Sequence, residues 1–298
     1  MSAIAQFSPS RARVHATADP AWVRWGVTFL GVGFAAAFLA LPLGVVFQEA
    51  FRHGAGGFLA PLRDTSTRSA IGLTLLVAAI VVPVNTIGGL AAAWATCRFR
   101  FPGRRLLLAL IEMPLWVSPV VGGLLFMLLF GRQGWFGAWL IAHDVSIVFA
   151  APGVVLATLF VTFPFVARCV IPQMQAQGFA EEEAAMTLGA SAWRVFWKVT
   201  LPKVKWGMTY GIILCNARSM GEFGAVSVVS GYIRGQTITM PLHVEIRYNE
   251  YQTTAAFAVA SLLCLLALAT LLGKTWSERR LARAFRAGAE AIPAEARS

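Results

Sequence analysis

Six apolar stretches dominate this sequence, and each is long enough to cross a lipid bilayer. A hydrocarbon core about 30 Å thick requires about 20 helical residues, because each residue rises about 1.5 Å. The stretches lie approximately at Trp25–Phe47, Ala70–Trp94, Leu106–Phe130, Ala150–Val170, Gly207–Val229 and Thr253–Leu272. They predict an all-α membrane protein with six transmembrane helices.

The composition supports lipid as the surrounding medium. Hydrophobic residues make up 57% of the chain and charged residues only 13%, whereas soluble domains carry about 25% charged residues. The net charge of +11 raises the possibility of a nucleic-acid partner. The basic residues stand in short clusters between apolar runs, which is typical of membrane loops, so no nucleic acid is expected. The four histidines and four cysteines are scattered, and their spacing predicts no metal site.

The distribution of lysine and arginine predicts the orientation. Basic residues favour cytoplasmic loops, and with a cytoplasmic N-terminus they outnumber those in outside loops by about three to one. We therefore expect both termini in the cytoplasm, with tails at residues 1–24 and 273–298. The first apolar stretch is too long for the apolar region of a signal peptide, so it is interpreted as a retained anchor. Prolines inside or at the ends of the spans predict kinked helices in a packed bundle: Pro83, Pro114, Pro119, Pro152 and Pro164.

The loop between the fourth and fifth stretches, residues 171–206, is too polar for the membrane and has a helical pattern. Glu181, Glu182 and Glu183 suit the first turn of a helix. Gly189 suits a helix C-cap, and Ser191 can cap a second short helix that Pro202 would end. The sequence thus predicts a helix–turn–helix protrusion. From its residues alone, it could dock onto a partner protein or pack on its own bundle.

A motif in this loop resembles that of a known family. Glu183, Ala184, Ala185, Gly189, Leu201 and Pro202 match the EAA loop of prokaryotic ABC importer permeases, E-A-A-x3-G-x9-I-x-L-P, and Val199 replaces the isoleucine. The resemblance implies a type I ABC importer permease fold, with this loop as the coupling helix that docks into an ATPase subunit. It also implies that Glu183 and Gly189 lie at the centre of that contact.

The chain itself contains no ATP-binding motif. A P-loop requires G-x-x-x-x-G-K-[ST], and the Gly-Lys-Thr at residues 273–275 has Leu268 in place of the first glycine. We therefore expect that this chain binds no cofactor and is not itself an enzyme. ATP and Mg²⁺ would be bound by partner ATPase subunits.

The fifth stretch contains Asn216, Arg218 and Glu222 among apolar residues. Ionisable residues inside a membrane are costly and usually face a protein interior or an aqueous cavity. Arg218 and Glu222 are four residues apart and can pair on one helix face. The pair could lock helices together or contact the transported substrate. Gly221, Gly224, Ser227 and Ser230 could line a translocation path with them.

The run from Arg218 to Gly224 resembles the R-x-x-G-E-[FY]-G segment of oxyanion permeases. Together with Val82–Asn85, Phe101–Arg104, Ser118–Leu124 and Phe163–Arg168, it resembles the W-subunit family of sulfate/thiosulfate importer permeases. This resemblance implies location in the bacterial inner membrane, a second permease subunit, an ATPase dimer and a periplasmic sulfate/thiosulfate-binding protein. Molybdate, tungstate or another oxyanion is an alternative substrate. A secondary transporter, driven by an ion gradient, and a membrane enzyme are rival classes.

Overall fold

The computed structural model describes residues 20–290, with side chains described as far as Leu272, and every regular element in this range is a helix. The α-helices are α1 (Ala21–Ala35), α2 (Leu41–Ala50), α3 (Gly54–Arg63), α4 (Thr65–Arg98), α5 (Arg104–Trp116), α6 (Pro119–Phe130), α7 (Gly137–Ala142), α8 (Ala151–Thr162), α9 (Pro164–Gln177), α10 (Ala180–Thr187), α11 (Ala192–Val195), α12 (Leu201–Met220), α13 (Gly224–Val229), α14 (Met240–Asn249) and α15 (Thr253–Glu290). The chain divides into two compact units at Val46 and Phe47.

The first unit is built on one long helix. Helices α1 and α2 are joined by a π-helical turn at Ala36–Ala40, which gives an uninterrupted helical stretch over Ala21–Ala50. The turn stands two residues before Pro42. A wider π turn leaves room for the proline ring, which would clash with a carbonyl of the preceding turn in a regular α-helix. The predicted anchor at residues 25–47 lies inside this stretch.

In the described part of the chain, four helical stretches are long and apolar enough to cross a membrane, or five if one bent pair is counted as a span. The four are Ala21–Ala50, Thr65–Arg98, Ala151–Gln177 and Thr253–Leu272. Each contains or closely overlaps one of the predicted stretches. Of the predicted tails, residues 1–19 and 291–298 lie outside the described residues, and the backbone of α15 continues as a helix to Glu290.

The predicted span at Leu106–Phe130 is not one helix, which corrects the sequence-based expectation. It consists of α5 and α6, whose axes differ by 112°. Val117 and Ser118, between them, have extended backbones with ψ of 134° and 133°. The cause is Pro119, because a proline disfavours the helical conformation in the residue before it and is well suited to the first turn of a new helix.

The predicted span at Gly207–Val229 is also interrupted. Helix α12 ends at Met220, and α13 starts at Gly224 after three residues that are not α-helical. Helix α12 is not among the four apolar stretches, and its sequence includes Lys203, Lys205 and Arg218. The sequence-based boundaries therefore missed both the break and the helical residues that precede Gly207.

Helix α4 is the central helix of the second unit and packs against α8, α9, α12 and α14. Two glycines allow close approach: a Cβ on Gly89 of α4 would lie 2.9 Å from Cβ of Val166, and one on Gly211 of α12 would lie 2.8 Å from Cα of Val166. Asn85 is buried in α4 and donates hydrogen bonds to the Leu159 carbonyl (3.2 Å) and the Thr162 hydroxyl (2.8 Å). Apolar side chains fill the space between these helices: Val77, Val81, Val154, Val166, Val170, Met174, Val204 and Leu242.

The two interrupted segments pack against each other near their breaks. Helices α6 and α13 are neighbours. A Cβ on Gly123 of α6 would lie 2.7 Å from the Ala225 carbonyl oxygen of α13, and one on Gly224 would lie 3.0 Å from Cβ of Pro119. The start of each short helix therefore lies against the other.

Candidate functional site: an exposed hairpin and a buried ion pair

The first half of the exposed hairpin, defined here as residues 178–202, is built as the sequence predicts. Glu181, Glu182 and Glu183 occupy the first turn of α10. The helix ends where Gly189 takes a left-handed conformation with φ of 86°. The Gly189 amide donates to the Met186 carbonyl and the Ala190 amide donates to the Ala185 carbonyl, both over 3.0 Å. This pair of bonds is a Schellman motif, and it confirms Gly189 as the end of the helix.

The second half of the hairpin follows only part of the prediction. Ser191 caps α11, because its hydroxyl oxygen accepts a hydrogen bond from the Arg194 amide over 3.4 Å. The prediction that Pro202 ends this helix is wrong. The chain continues through a π-helical turn at Phe196–Thr200 directly into α12. As before Pro42, the wider turn accommodates the proline ring without a break.

The hairpin exposes a surface of small and apolar groups. Glu183, Ala184 and Gly189 are exposed, and Ala185 is half-buried. Leu188 has 88% of its surface exposed and Trp193 has 70%, which is far more than such side chains have in a protein core. Of the remaining motif residues, Val199 and Leu201 are half-buried, whereas Pro202 is exposed.

Glu182 was not among the predicted site residues, yet it is the glutamate of this run that turns inward. It accepts a hydrogen bond from the Thr200 hydroxyl over 2.7 Å and forms an ion pair with Arg98, the last residue of α4. Glu181 instead lies 3.4 Å from Lys203 and is largely exposed. Three identical residues in a row carry no signal that would distinguish them, because only the rotation of α10 decides which one points inward.

Arg218 and Glu222 form the predicted ion pair. Arg218 Nη1 lies 2.7 Å from Glu222 Oε2, and the side chain of Glu222 is 1% exposed while that of Arg218 is 34% exposed. The other carboxylate oxygen, Oε1, accepts a hydrogen bond from the Ala225 amide over 2.9 Å. Glu222 therefore links the end of α12 to the first turn of α13 across the break.

The other predicted path residues do not share one surface with this pair. Asn216 lines an open cavity of about 570 Å³ between α4, α12 and α15, and it stands two residues from Arg218, about 200° round the helix. Ser227 donates to the Gly224 carbonyl over 2.8 Å, and Ser230 is buried and accepts from the Tyr232 amide over 3.2 Å. Gly221 is exposed at the break between α12 and α13.

A second polar cluster, which sequence reasoning missed, joins the start of α4 to α14. Arg247 forms an ion pair with Asp64 and donates hydrogen bonds to Ser66 Oγ (2.9 Å) and His243 Nε2 (3.3 Å). Thr67 Oγ1 lies 2.9 Å from the same histidine nitrogen. Burial lowers the pKa of His243 to about 4, and Arg247 acts in the same direction. The hydrogen bond from Ser66 lowers the pKa of Asp64.

Among the described residues there is no candidate metal site, since no three His, Cys, Asp or Glu side chains lie close enough together to hold a metal ion. The site therefore consists of an exposed hairpin, tied to the bundle by Glu182, and an ion pair at a helix break.

Comparison with known proteins identifies the class as a membrane-spanning transport component. Residues 85–283 match the family described as "Binding-protein-dependent transport system inner membrane component", and the chain belongs to this family. Among its relatives is the "Sulfate transport system permease protein CysW" of Synechocystis sp., which is 49% identical over 258 residues, covering 87% of this chain and 94% of the relative. The protein of the same name from Escherichia coli (strain K12) is 46% identical over 260 residues, covering 87% and 89%. These relatives confirm the resemblance to the W-subunit family.

A solved structure confirms the fold. One chain in the crystal structure of a bacterial ABC transporter involved in the import of the acidic polysaccharide alginate superimposes with a TM-score of 0.74. The superposition covers 87% of this chain and 96% of that chain, at 16% sequence identity. The predicted ABC importer permease fold is therefore correct, including the all-helical architecture.

Proposed function

We propose that this chain is one membrane-spanning subunit of an ATP-driven importer of sulfate and thiosulfate in the bacterial inner membrane. It has six spans, because α5–α6 and α12–α13 each count as one interrupted span beside the four continuous stretches, and both termini are cytoplasmic. Its partners are a second permease of the same family, two ATPase subunits that bind ATP and Mg²⁺, and a periplasmic sulfate- or thiosulfate-binding protein. The names of its relatives support the substrate.

The exposed hairpin is the observation that carries this proposal. An exposed leucine and tryptophan beside small residues suit the groove of a protein partner, since aromatic and aliphatic anchors dominate such contacts. The matching EAA motif supports an ATPase subunit as that partner. The exposed hairpin is internally braced by the Schellman motif and by Glu182, so it can move as a rigid body.

The mechanism is alternating access. Closure of the ATPase dimer on ATP displaces the exposed hairpin, and the hairpin moves the bundle because α11 runs without interruption into α12. A sulfate dianion requires a hydrated or hydrogen-bonding path, since burying a bare charge in hydrocarbon is prohibitive. Arg218, held by Glu222 at the interrupted span, is a cation of α12 that can face such a path.

This proposal is tested by reconstituting the chain with its partner subunits. The chain is co-expressed with its partner permease, the ATPase and the binding protein, purified, and placed in liposomes. We expect sulfate uptake only when ATP is supplied to the ATPase subunits and the binding protein is present. Excess thiosulfate should compete with sulfate for uptake. If molybdate competes more strongly than thiosulfate, the substrate is molybdate and not sulfate. Uptake that follows an ion gradient without ATP would contradict the proposal and favour a secondary transporter.

A further inference from the structure

Glu182 is a buried charge whose surroundings the EAA motif does not explain. Its side chain is 4% exposed, whereas that of its neighbour Glu181 is 71% exposed. A carboxylate in such a position is tolerated only when it is paired and hydrogen-bonded. Both of its oxygens are used: Oε1 accepts from the Thr200 hydroxyl and Oε2 pairs with Arg98. Glu182 is thus a fully hydrogen-bonded charge on the inner face of α10, while the outer face of that helix is exposed.

The two partners of Glu182 belong to different parts of the bundle. Thr200 closes the π-helical turn that leads into α12, so this bond braces the two halves of the exposed hairpin against each other. Arg98 is the last residue of α4, and its guanidinium also lies 5.7 Å from the ring centre of Phe179, just before α10. A stacked pair, Trp94 of α4 and Phe196 of the hairpin, adds a second contact at 4.6 Å between ring centres.

Helix α4 extends from this contact through the whole bundle. Its 34 residues correspond to a rod of about 50 Å. Midway, Asn85 bonds to α8 and Gly89 lies against α9. At the far end, Asp64, which precedes α4, pairs with Arg247 of α14. A displacement that enters α4 at Arg98 can therefore reach elements at both ends of the helix.

We infer that Glu182 is a positioning residue that fastens the exposed hairpin to α4 through Arg98, so that movement of the hairpin reaches α4 as well as α12. This inference rests on the proposed function, because it concerns how that function is transmitted. Glu182 need not touch the ATPase, since its oxygens face inward. Without the bond, the hairpin still binds the ATPase but follows α4 less closely, because the stacked pair of Trp94 and Phe196 alone cannot carry the full movement. ATP hydrolysis then drives transport less efficiently.

The experiment measures sulfate uptake per ATP hydrolysed in proteoliposomes that contain the full complex. Three variants form a double-mutant cycle: Glu182→Gln, Arg98→Gln and the two together. Glutamine at 182 can still accept from Thr200, so the first variant removes the charge while it preserves the brace inside the hairpin. Glu49→Gln is the matched control, since it makes the same change in an ion pair with the exposed Arg52, outside the exposed hairpin.

We expect each single variant to retain the ATPase during purification and to hydrolyse ATP, while uptake per ATP falls about tenfold. The double variant should be about as impaired as the poorer single variant, because both remove the same bond. Glu49→Gln should match the unaltered protein. The exchanged pair Arg98→Glu with Glu182→Arg should recover part of the lost uptake.

Several results would overturn the inference. An unchanged ratio in the single variants would do so, as would losses that multiply in the double variant, because the two residues would then act separately. Failure of all three variants to assemble, or recovery of a normal ratio in the double variant, would assign the pair to folding alone. The proposed function is judged separately: if the unaltered complex takes up sulfate without ATP hydrolysis, the proposed function fails and this inference with it.

Discussion

Arg218 Nη1 lies 2.7 Å from Oε2 of Glu222, and the pair stands where α12 ends and the chain breaks before α13. Glu222 also accepts the Ala225 amide through Oε1, so a single carboxylate joins a cation, a helix end and a helix start. Glu222 is buried and Arg218 is one-third exposed. This asymmetry leaves one side of the guanidinium available while the other side is fixed.

Arg218→Ala tests whether the pair is structural, a substrate contact, or both. Removing the cation leaves Glu222 buried without its partner, which costs about 3 kcal/mol of folding free energy. We expect a lower yield of assembled complex and reduced sulfate uptake. Assembly is measured by size-exclusion chromatography in detergent, and uptake in proteoliposomes.

The neutral double variant Arg218→Met with Glu222→Gln separates the two roles. Glutamine preserves the acceptor for the Ala225 amide, and neither charge remains, so we expect assembly to recover. If uptake recovers as well, the pair only holds the helices together. Uptake that stays low in a fully assembled complex supports Arg218 as an anion contact. Normal assembly and uptake in Arg218→Ala itself would exclude both roles.

Gly189→Asp tests the surface that binds the ATPase. A non-glycine residue with φ of 86° carries about 1 kcal/mol of backbone strain. A Cβ at this position meets nothing within 4 Å in the chain itself. The chain should therefore fold and insert, while the added charge blocks the partner. We expect sulfate uptake to be abolished and the ATPase to be lost on purification.

Gly103→Asp is the control for that prediction. Gly103 has φ of 90° and is equally open, but it precedes α5 and lies outside the exposed hairpin. The same substitution there adds similar strain and the same charge, so uptake should persist. Equal loss in both variants would mean that backbone strain, and not a docking contact, explains the effect.

Gly123→Ala tests the packing of α6 on α13. The new methyl group would lie 2.7 Å from the Ala225 carbonyl oxygen and 2.9 Å from Cβ of Val228, so the helices must separate. Such overpacking costs about 1–3 kcal/mol, and we expect a lower thermal unfolding midpoint in detergent. Gly72→Ala in α4 is the control: its Cβ meets nothing within 4 Å, so it should leave the midpoint unchanged or raise it. A lower midpoint for Gly72→Ala alone would contradict the packing described.

His243 predicts how stability depends on pH. Its pKa is about 4 in the folded chain, because burial lowers it from 6.5. Arg247 and Arg234 lower it further, while Asp64 and Glu250 oppose them. The unfolded chain therefore takes up the proton first as the pH falls. Stability is full above about pH 6.5 and falls by up to about 3 kcal/mol towards pH 4.

Thermal unfolding in detergent between pH 7 and pH 4 checks this dependence. His243→Gln should flatten the curve over that interval, although it lowers stability at pH 7 because the contact with Thr67 is altered. His143→Gln, at an exposed position, should preserve the slope of the unaltered protein. An identical slope in His243→Gln would assign the pH dependence to other groups.

The hydrophobic pattern was sufficient to predict most of the membrane helices, because their length and apolarity are properties of contiguous residues. Gly189 and Ser191 were predicted correctly for the same reason, since a C-cap and an N-cap depend on residues a few positions away. The two interrupted spans were not predicted. Pro119 marks one break, but the pattern did not show that α5 and α6 would bend by 112°.

The sequence by itself determined the class of protein, the approximate spans, the motif of the exposed hairpin and the pairing of Arg218 with Glu222, since all of these depend on local order along the chain. Only the tertiary structure decided that Glu182 turns inward to Arg98, 84 positions earlier, and that Arg247 meets Asp64 across 183 positions. It also placed Asn216 beside the open cavity between α4, α12 and α15. Such contacts depend on how each helix is rotated and packed, and packing is fixed by all the helices together.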